Sequence, residues 1–586
     1  MKKKFVFLCL TLLLSLITLF ANSQSYYAVS SLEWRSVNAL CHYAGVIGPT
    51  SNGPVTRGQL ELALERAESS LAPDNTLLIE VKNLFKDENN IISDDVGGFS
   101  LKGALTPEVY AQTNKGEKAV YDLDEDWFIK NQRERRAATV TLEGNIRDYL
   151  YSRFALDYKQ NISNYSNYSY WNDNFHLSFY GFDILKNVPL DCGFSLGTKE
   201  ASLIIGRGKV SLGEGYTGNT AIGDNYDYQE FLKTGFFTKY MSVFVTLTSF
   251  DSSHEVGLKP YEVLSARFSD YKELRHAASY EAVIGKKVKT SLTFISLLDT
   301  NNAFDFRYLN PFMVMHNYFN YHEETILEAN NMITIDLSYS FAPKWNLYGQ
   351  LTMDQYQVKG EAEGYVGFGY TEPNAFGGLI NLSYTDILTN NDIVNLYGEL
   401  VFNMPGMYLN TKYYLPGTNG KVTQYNHIKG HPDLKYTDRC FSQDYLLGYK
   451  RTESNYDDVA YSGYIYGPDC FVSTIGMNWR KPSVFSLSSS VMYMAHGEKG
   501  RGENESNYTF DGIDSLSDVN RITLTGVIEH TLVVKAEAEV QLLPYLSVTF
   551  GGAYQYRWNY RNNVGLNFSN LQGYVGLNLS SLDFDV

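Results

Sequence analysis

The sequence predicts a mainly β protein: one large closed antiparallel transmembrane β-barrel with a small N-terminal helical region. The barrel is expected to have about 16–20 strands, with about 18 as the central value. Three observations carry this. From residue 138 onward the hydrophobic pattern has a period of two. Aromatic residues gather at the ends of the alternating runs, as interfacial girdles do. The face opposite the apolar one carries polar and charged residues, which suits a wet lumen.

The chain begins with Lys2, Lys3 and Lys4, then an apolar run from Phe5 to Phe20, then Ala21 and Ser23. A basic start, a short apolar run and small residues read as a secretory signal peptide covering residues 1–23. Cys9 lies inside the apolar run and not at its end, which argues against a lipoprotein anchor. No other stretch is long and apolar enough to span a bilayer as a helix. Export to the outer membrane is the expected localisation.

Residues 24–136 are expected to form a small helical region, ending in a charged connector. Thr56 and Gln59 can form a capping box for a helix carrying Leu60, Ala63, Leu64, Ala67 and Leu71 on one face, with Pro73 ending it. A second stripe, Leu77, Leu78, Val81, Leu84 and Phe85, follows Thr76. An earlier one, Trp34, Val37, Cys41 and Ala44, follows the pair Ser30 and Glu33. The connector holds the acidic run Asp122 to Asp126 and the basic run Arg133 to Arg136. The acidic run lacks the glycine and the twelve-residue layout of a calcium loop, so a solvated charge run is the expected reading.

Residues 138–586 are expected to form the barrel. The clearest strand is Leu546 to Tyr560. Leu546, Val548, Phe550, Tyr554, Tyr556 and Trp558 share one face; Ser547, Thr549, Gln555 and Arg557 share the other. Ile333 to Phe341, Trp345 to Asp354 and Val534 to Leu542 alternate in the same way. Aromatics make up 15% of the chain, with 47 Tyr and 33 Phe, enough to furnish two girdles. A soluble sandwich would spread its aromatics along the core face instead. One sign of an outer-membrane barrel is missing: the last residue is Val586, not an aromatic.

The formal charge is −16. An acidic chain argues against nucleic acid and anionic lipid as partners. Cys41, Cys192, Cys440 and Cys470 show no metal-ligand spacing. Cys440 and Cys470 are close enough to lie in one loop or in neighbouring loops, and whether they pair is left open by the sequence.

One stretch, "GRGKVSLGEGYTGNT" at residues 206–220, imitates a phosphate cradle. A P-loop needs a Lys after its second glycine and a helix behind it. Asn219 stands where the Lys belongs, and a strand-like run follows. The glycines are therefore expected to serve a tight structural loop next to a barrel strand.

Here the chain resembles a family. Gly206-Arg207, Gly213-x-Gly215-Tyr216-x-Gly218 and the run to Asp224-Asn225 are similar to the signature of the Wzi-type capsule-assembly outer-membrane proteins. Arg275-His276, Ser291–Leu298, Tyr308-Leu309-Asn310-Pro311-Phe312 and Gln350-Leu351-Thr352-Met353-Asp354 follow in the expected order. The resemblance covers roughly residues 30–360. Leu212 and Glu214 depart from it, standing where the family often has Trp and Pro. The resemblance implies an outer-membrane β-barrel, with the helical N-terminal part on the periplasmic side, that holds or organises surface polysaccharide without breaking bonds.

The residues themselves offer a candidate site for this. The loop "NISNYSNYSYWND", Asn161 to Asp173, sets Tyr165, Tyr168, Tyr170 and Trp171 among hydrogen-bonding side chains. These rings can stack on sugar faces, or they can be girdle aromatics at the base of a solvated loop. Catalytic signatures are missing. His427 and His431 are separated by Gly430 and followed by Pro432, which denies them a helix. His316 and His322 flank an aromatic stretch and read as girdle or lumen residues; Glu537 and Glu539 read as lumen lining. The expected function is polysaccharide binding or organisation at the cell surface; the alternative is a porin or transporter with an open lumen. No enzyme activity, cofactor or metal is expected. The expected partners are surface polysaccharide, outer-membrane lipid and the barrel-assembly machinery, with no nucleic acid.

Overall fold

The computed structural model describes residues 23–85, 92–93, 97–114, 128, 136–159, 175–179, 182–188, 190–224, 229–250, 272–300, 306–312, 326–356, 374–388, 392–416, 422–425, 439–443, 448–453, 456–461, 463–481, 484–498, 508–509 and 524–580. Among these residues, eighteen antiparallel strands close into one barrel. The first is Gly97–Leu105, continued by Glu108–Gln112, and the last is Asn567–Ser580. The ring shuts where Asn567–Ser580 pairs with both parts of the first strand, Leu579 opposite Leu105 and Val575 opposite Val109.

The two faces of the wall follow the alternation in the sequence. In strand Leu546–Trp558, Phe550, Tyr554 and Trp558 are exposed on the outside, while Ala553, Gln555 and Arg557 are buried inside. In strand Ile326–Ala342, Ile335, Leu337, Tyr339 and Phe341 point out, and Thr334, Asp336, Ser338 and Ser340 point in and are buried. Aromatic rings collect near one rim: Phe341, Trp345 and Tyr384 lie in a row, with Trp345 and Tyr384 4.8 Å apart. An apolar outer band with aromatic girdles is what a lipid-embedded barrel requires. Among the described residues, no helix is long and apolar enough to cross a membrane.

One rim has short turns, such as those between Ile146 and Leu150, Gly197 and Ala201, Phe237 and Met241, and Ile284 and Val288. The other rim carries the long connections, 209–228 and 404–469 among them. Short connections face the periplasm in outer-membrane barrels, which orients the molecule.

Among the described residues, three helices precede the barrel: Leu32–Ala44, Arg57–Glu68 and Thr76–Asn83. The second starts at the Thr56–Gln59 capping box, with Thr56 N donating to Gln59 Oε1 at 2.8 Å. The first is capped by Ser31, which accepts from Trp34 N at 3.2 Å, and not by Ser30. The third is capped by Asn75, one residue before Thr76. Trp34, Val37, Leu40, Leu60, Ala63, Leu77 and Val81 form one apolar core among the helices, and Ile393 of the barrel wall joins it. Each large apolar side chain buried there contributes about 1.5–3 kcal/mol.

The boundary read from the sequence needs correction. The barrel begins at Gly97, well inside the segment 24–136 expected to be helical and connector. Strand Gly97–Leu105 pairs along Arg136–Ile146, with Leu101 opposite Leu142. The reason is visible in "GGFSLKGAL": Phe99, Leu101 and Leu105 alternate properly, but three glycines dilute the pattern and Pro107 interrupts it.

The helices do not stand apart from the wall. Ile47 N donates to Lys286 O at 2.9 Å and Lys344 N to His42 O at 2.8 Å, both in short turns. Glu80 pairs with Arg480 of the wall at 2.7 Å. Ser340, on the inner face, donates to Val46 O at 2.9 Å. The N-terminal segment therefore sits in the periplasmic mouth as a plug.

Candidate functional site: a filled lumen

The glycine stretch turns inward. Gly206 and Arg207 belong to strand Ala201–Gly208, where Gly206 crosses close to Gly193 and Arg207 lies 3.5 Å from Glu230. After Gly208 the chain leaves the rim and runs down into the lumen. Gly213 and Gly218 have φ of 128° and 133°, a region that side chains with a Cβ rarely adopt. A Cβ on Gly213 would also lie 2.3 Å from Asn219 Oδ1. Asn219, in the place of a P-loop lysine, accepts from Gly215 N at 3.0 Å and so holds its own loop.

Polar side chains of the inner wall fasten this loop. The Glu399 carboxylate accepts from Tyr216 N at 2.6 Å and Thr217 N at 2.8 Å, and from the Thr217 hydroxyl. Gln350 Oε1 accepts from Thr220 N at 2.7 Å; its Nε2 donates to Asp336 Oδ1 at 2.8 Å and to Leu212 O at 3.1 Å. Lys289 donates to Glu214 Oε1 at 2.8 Å. The ring of Tyr216 stacks on Tyr397, with centroids 3.8 Å apart and planes 3° from parallel. From the extracellular side, Tyr464 reaches Thr217 at 3.0 Å and the Tyr408 hydroxyl donates to Thr220 O.

The plug and the loop meet. Gly53 N donates to Ser211 O at 2.8 Å, and Gly213 N to Ser51 O at 3.1 Å. Two wall lysines hold plug carbonyls: Lys233 donates to Pro54 O at 2.8 Å and to Asn52 O, and Lys289 donates to Pro49 O. Lys233 is only 1% exposed. A buried ammonium stays viable only when its donors are matched, and carbonyl oxygens at the ends of extended backbone match them. Burial, with Lys289 nearby, pulls the His42 imidazole of the plug down to about 3, so it is neutral at physiological pH. Burial pushes the Cys41 thiol up to about 12, which makes it unreactive.

Of the residues singled out in the sequence, the structure brings Gly213, Gly215, Tyr216 and Gly218 together inside the barrel and keeps Gly206 and Arg207 in the wall. Tyr165, Tyr168, Tyr170 and Trp171 lie outside the described residues, as do His316, His322, His427, His431 and the runs at 122–126 and 133–135. Cys470 carries a free, buried thiol, so it does not pair with Cys440. Among the described residues no cluster of His, Cys, Asp or Glu has the layout of a metal site. Sequence reasoning missed Glu399, Asp336, Lys233 and Lys289. A lone charge on the polar face of a strand marks each of them as lumen lining, but period-two alternation carries no information about what a lumen residue will meet.

No family model matches the sequence, and no curated protein matches it either. Among solved structures, the chain is similar to Wzi of Escherichia coli, described as an outer membrane protein involved in group 1 capsule assembly and a carbohydrate-binding β-barrel. The TM-score is 0.52 at 11% identity, over 94% of this chain and 98% of that one. OmpT of Vibrio cholerae aligns with a TM-score of 0.33 at 8% identity, over 84% of this chain and 99% of that one. The channel DcaP of Acinetobacter baumannii aligns with a TM-score of 0.35 at 8% identity, over 83% and 99%. The likeness is one of fold, and it agrees with the apolar outer band and the closed ring: the chain is an outer-membrane β-barrel protein.

Proposed function

We propose that this barrel binds or organises surface polysaccharide as a Wzi-type protein and does not conduct solutes or catalyse a reaction. The observation that carries this reading is the filled lumen. A porin keeps its lumen open. Here the N-terminal plug and the loop 209–224 are bonded to the inner wall and to each other, which favours a static scaffold. The ordered motifs from Gly206 to Asp354 and the fold shared with a carbohydrate-binding barrel support the ligand class. The contact to polymer is assigned to extracellular loops, with Tyr165, Tyr168, Tyr170 and Trp171 as the stacking residues. One such contact is worth only about 0.5–1.5 kcal/mol beyond burial, so a repeating polymer that engages several sites suits them.

The porin reading has one observation of its own. Part of the inner wall, around Ser488 and Glu537, is exposed. Changing Tyr168, Tyr170 and Trp171 to Ala together and measuring polysaccharide retained on cells tests the proposal. Lost retention with normal membrane levels supports it; unchanged retention removes this loop from the mechanism.

A further inference from the structure

The inner wall has two different halves. From strand Leu190–Gly197 to strand Ile393–Asn403, side chains such as Ser195, Lys233, Thr246, Thr293, Gln350 and Ser383 are buried under the plug and the loop. Beyond that arc the inner face is only partly covered: Thr531, Asn570 and Gln572 are buried, and Phe128 N donates to Gln572 Oε1 at 3.0 Å, while other inward side chains are exposed. Register fixes which residues face inward there. Arg557 and Gln555 are buried inside, and they pair with Thr531 and Val533. Two and four residues on, Lys535 and Glu537 therefore face the lumen, whereas Val534 faces out. Lys535 and Glu537 are exposed all the same. Their partners across the next strand are Ser490 and Ser488. Ser488 and Asn478, also inward, are exposed too.

This space is closed above. Val472, Met492, Val533, Ala553 and Tyr574 form an apolar ceiling with Tyr464 on the extracellular side. It is bounded on the packed side by the stacked pair Tyr216 and Tyr397. Gly476 makes room for that pair, since a Cβ there would lie 2.3 Å from the Tyr397 ring. Below, the plug ends at the Glu80–Arg480 ion pair.

We infer that this half of the lumen is a blind pocket, entered from the periplasm, that takes a neutral hydroxyl-rich ligand: a short oligosaccharide segment. Asn478, Ser488 and Glu537 are successive partners across three strands, and all three are exposed. Such a row spans about 10 Å, enough for about two sugar rings. One end offers the face of Tyr216, which is 37% exposed, for stacking. Ser488, Asn478, Lys535 and Glu537 offer donors and acceptors, and none of them hydrogen-bonds a side chain among the described residues. Lys535 is flanked by Glu537, with Glu539 two residues further along the same face, so these groups offer no excess of positive charge to a strongly anionic ligand. The inference takes only the ligand class from the proposed function; it does not need the extracellular loops.

The test uses Ser488→Cys in the full chain, labelled with a membrane-impermeant maleimide, with the parent chain as the background for its own cysteines. Labelling is expected in outer membranes opened to the periplasmic side and not in intact cells. Neutral oligosaccharides of glucose, galactose and N-acetylglucosamine, two to six units long, are the probes. At about ten times its Kd, a ligand that occupies the pocket slows labelling about tenfold. Labelling in intact cells overturns the blind end. No labelling in folded, heat-modifiable protein overturns the cavity. Labelling from the periplasm that no oligosaccharide slows overturns the ligand class. None of these results depends on whether Tyr168, Tyr170 and Trp171 retain surface polymer, so the two proposals fail separately.

Discussion

The two halves of the lumen solve the same problem by opposite means. A barrel of this size has an inner wall too wide for its own side chains to fill. On the arc from Leu190 to Asn403 the wall is polar, and it is closed by other polar backbone: lysines hold plug carbonyls, and Glu399 holds loop N–H groups. On the opposite arc, among the described residues, an apolar cluster of Val472, Met492, Val533 and Tyr574 covers the wall, with Phe128 packed against it. The polar closure is specific, since every bond names two partners. The apolar closure needs only volume, and it leaves polar side chains such as Ser488 and Glu537 exposed. What fills a barrel thus depends on which rungs of its inner face are polar.

The comparison can be broken most strongly by removing the plug. Deleting residues 24–85 takes away what covers the polar arc while sparing the first strand at Gly97. A barrel that still migrates as heat-modifiable protein should then conduct ions in a planar bilayer. A silent, folded truncation would mean that the loop 209–224 alone closes the lumen.

Next in size is the loop itself. Gly213→Val and Gly218→Val each force a β-branched side chain to positive φ, at a cost of roughly 1–3 kcal/mol before any clash. Proteolysis within residues 209–224 should rise several-fold in folded barrels. Unchanged resistance would show that the loop tolerates another backbone path.

Lys233→Met is expected to be milder. It removes the donor to Asn52 O and Pro54 O and leaves these carbonyls unmatched, at about 1–3 kcal/mol. Hydrogen exchange at residues 50–56 should quicken, while exchange in the ceiling strands should not. Equal change in both would mean that the two halves are one cooperative unit.

The smallest effect is pH-dependent. His42 binds a proton less readily in the docked plug than when free, because burial and then Lys289 oppose its charge. Undocking therefore takes up a proton, and the plug loses stability as pH falls from about 6.5 toward 3. Protection factors within Leu32–Ala44, with exchange corrected for its intrinsic pH dependence, should be lower at pH 5 than at pH 7.5, and His42→Gln should flatten that difference. A flat profile in the parent chain would count against a buried, neutral His42.

Much of this architecture was legible in the sequence because barrels write their inside and outside on alternate residues. Phe550, Tyr554 and Trp558 against Gln555 and Arg557 is such a record, and a strand number of about 18 follows from chain length. The Thr56–Gln59 cap was legible because it is local. The first strand was not, since glycine removes the very side chains that alternation needs. The lumen contacts were not legible at all. Glu399 and Tyr216 are 183 residues apart, and nothing near either one names the other. The glycine stretch marked a backbone that must bend, but only the fold tells which way.

The most direct test of the central claim is the conductance of the purified full-length protein in a planar bilayer. The filled polar arc and the apolar ceiling together predict a silent bilayer, with conductance appearing only after residues 24–85 are removed. A steady, large conductance from the full chain would contradict the account and put the porin reading in its place.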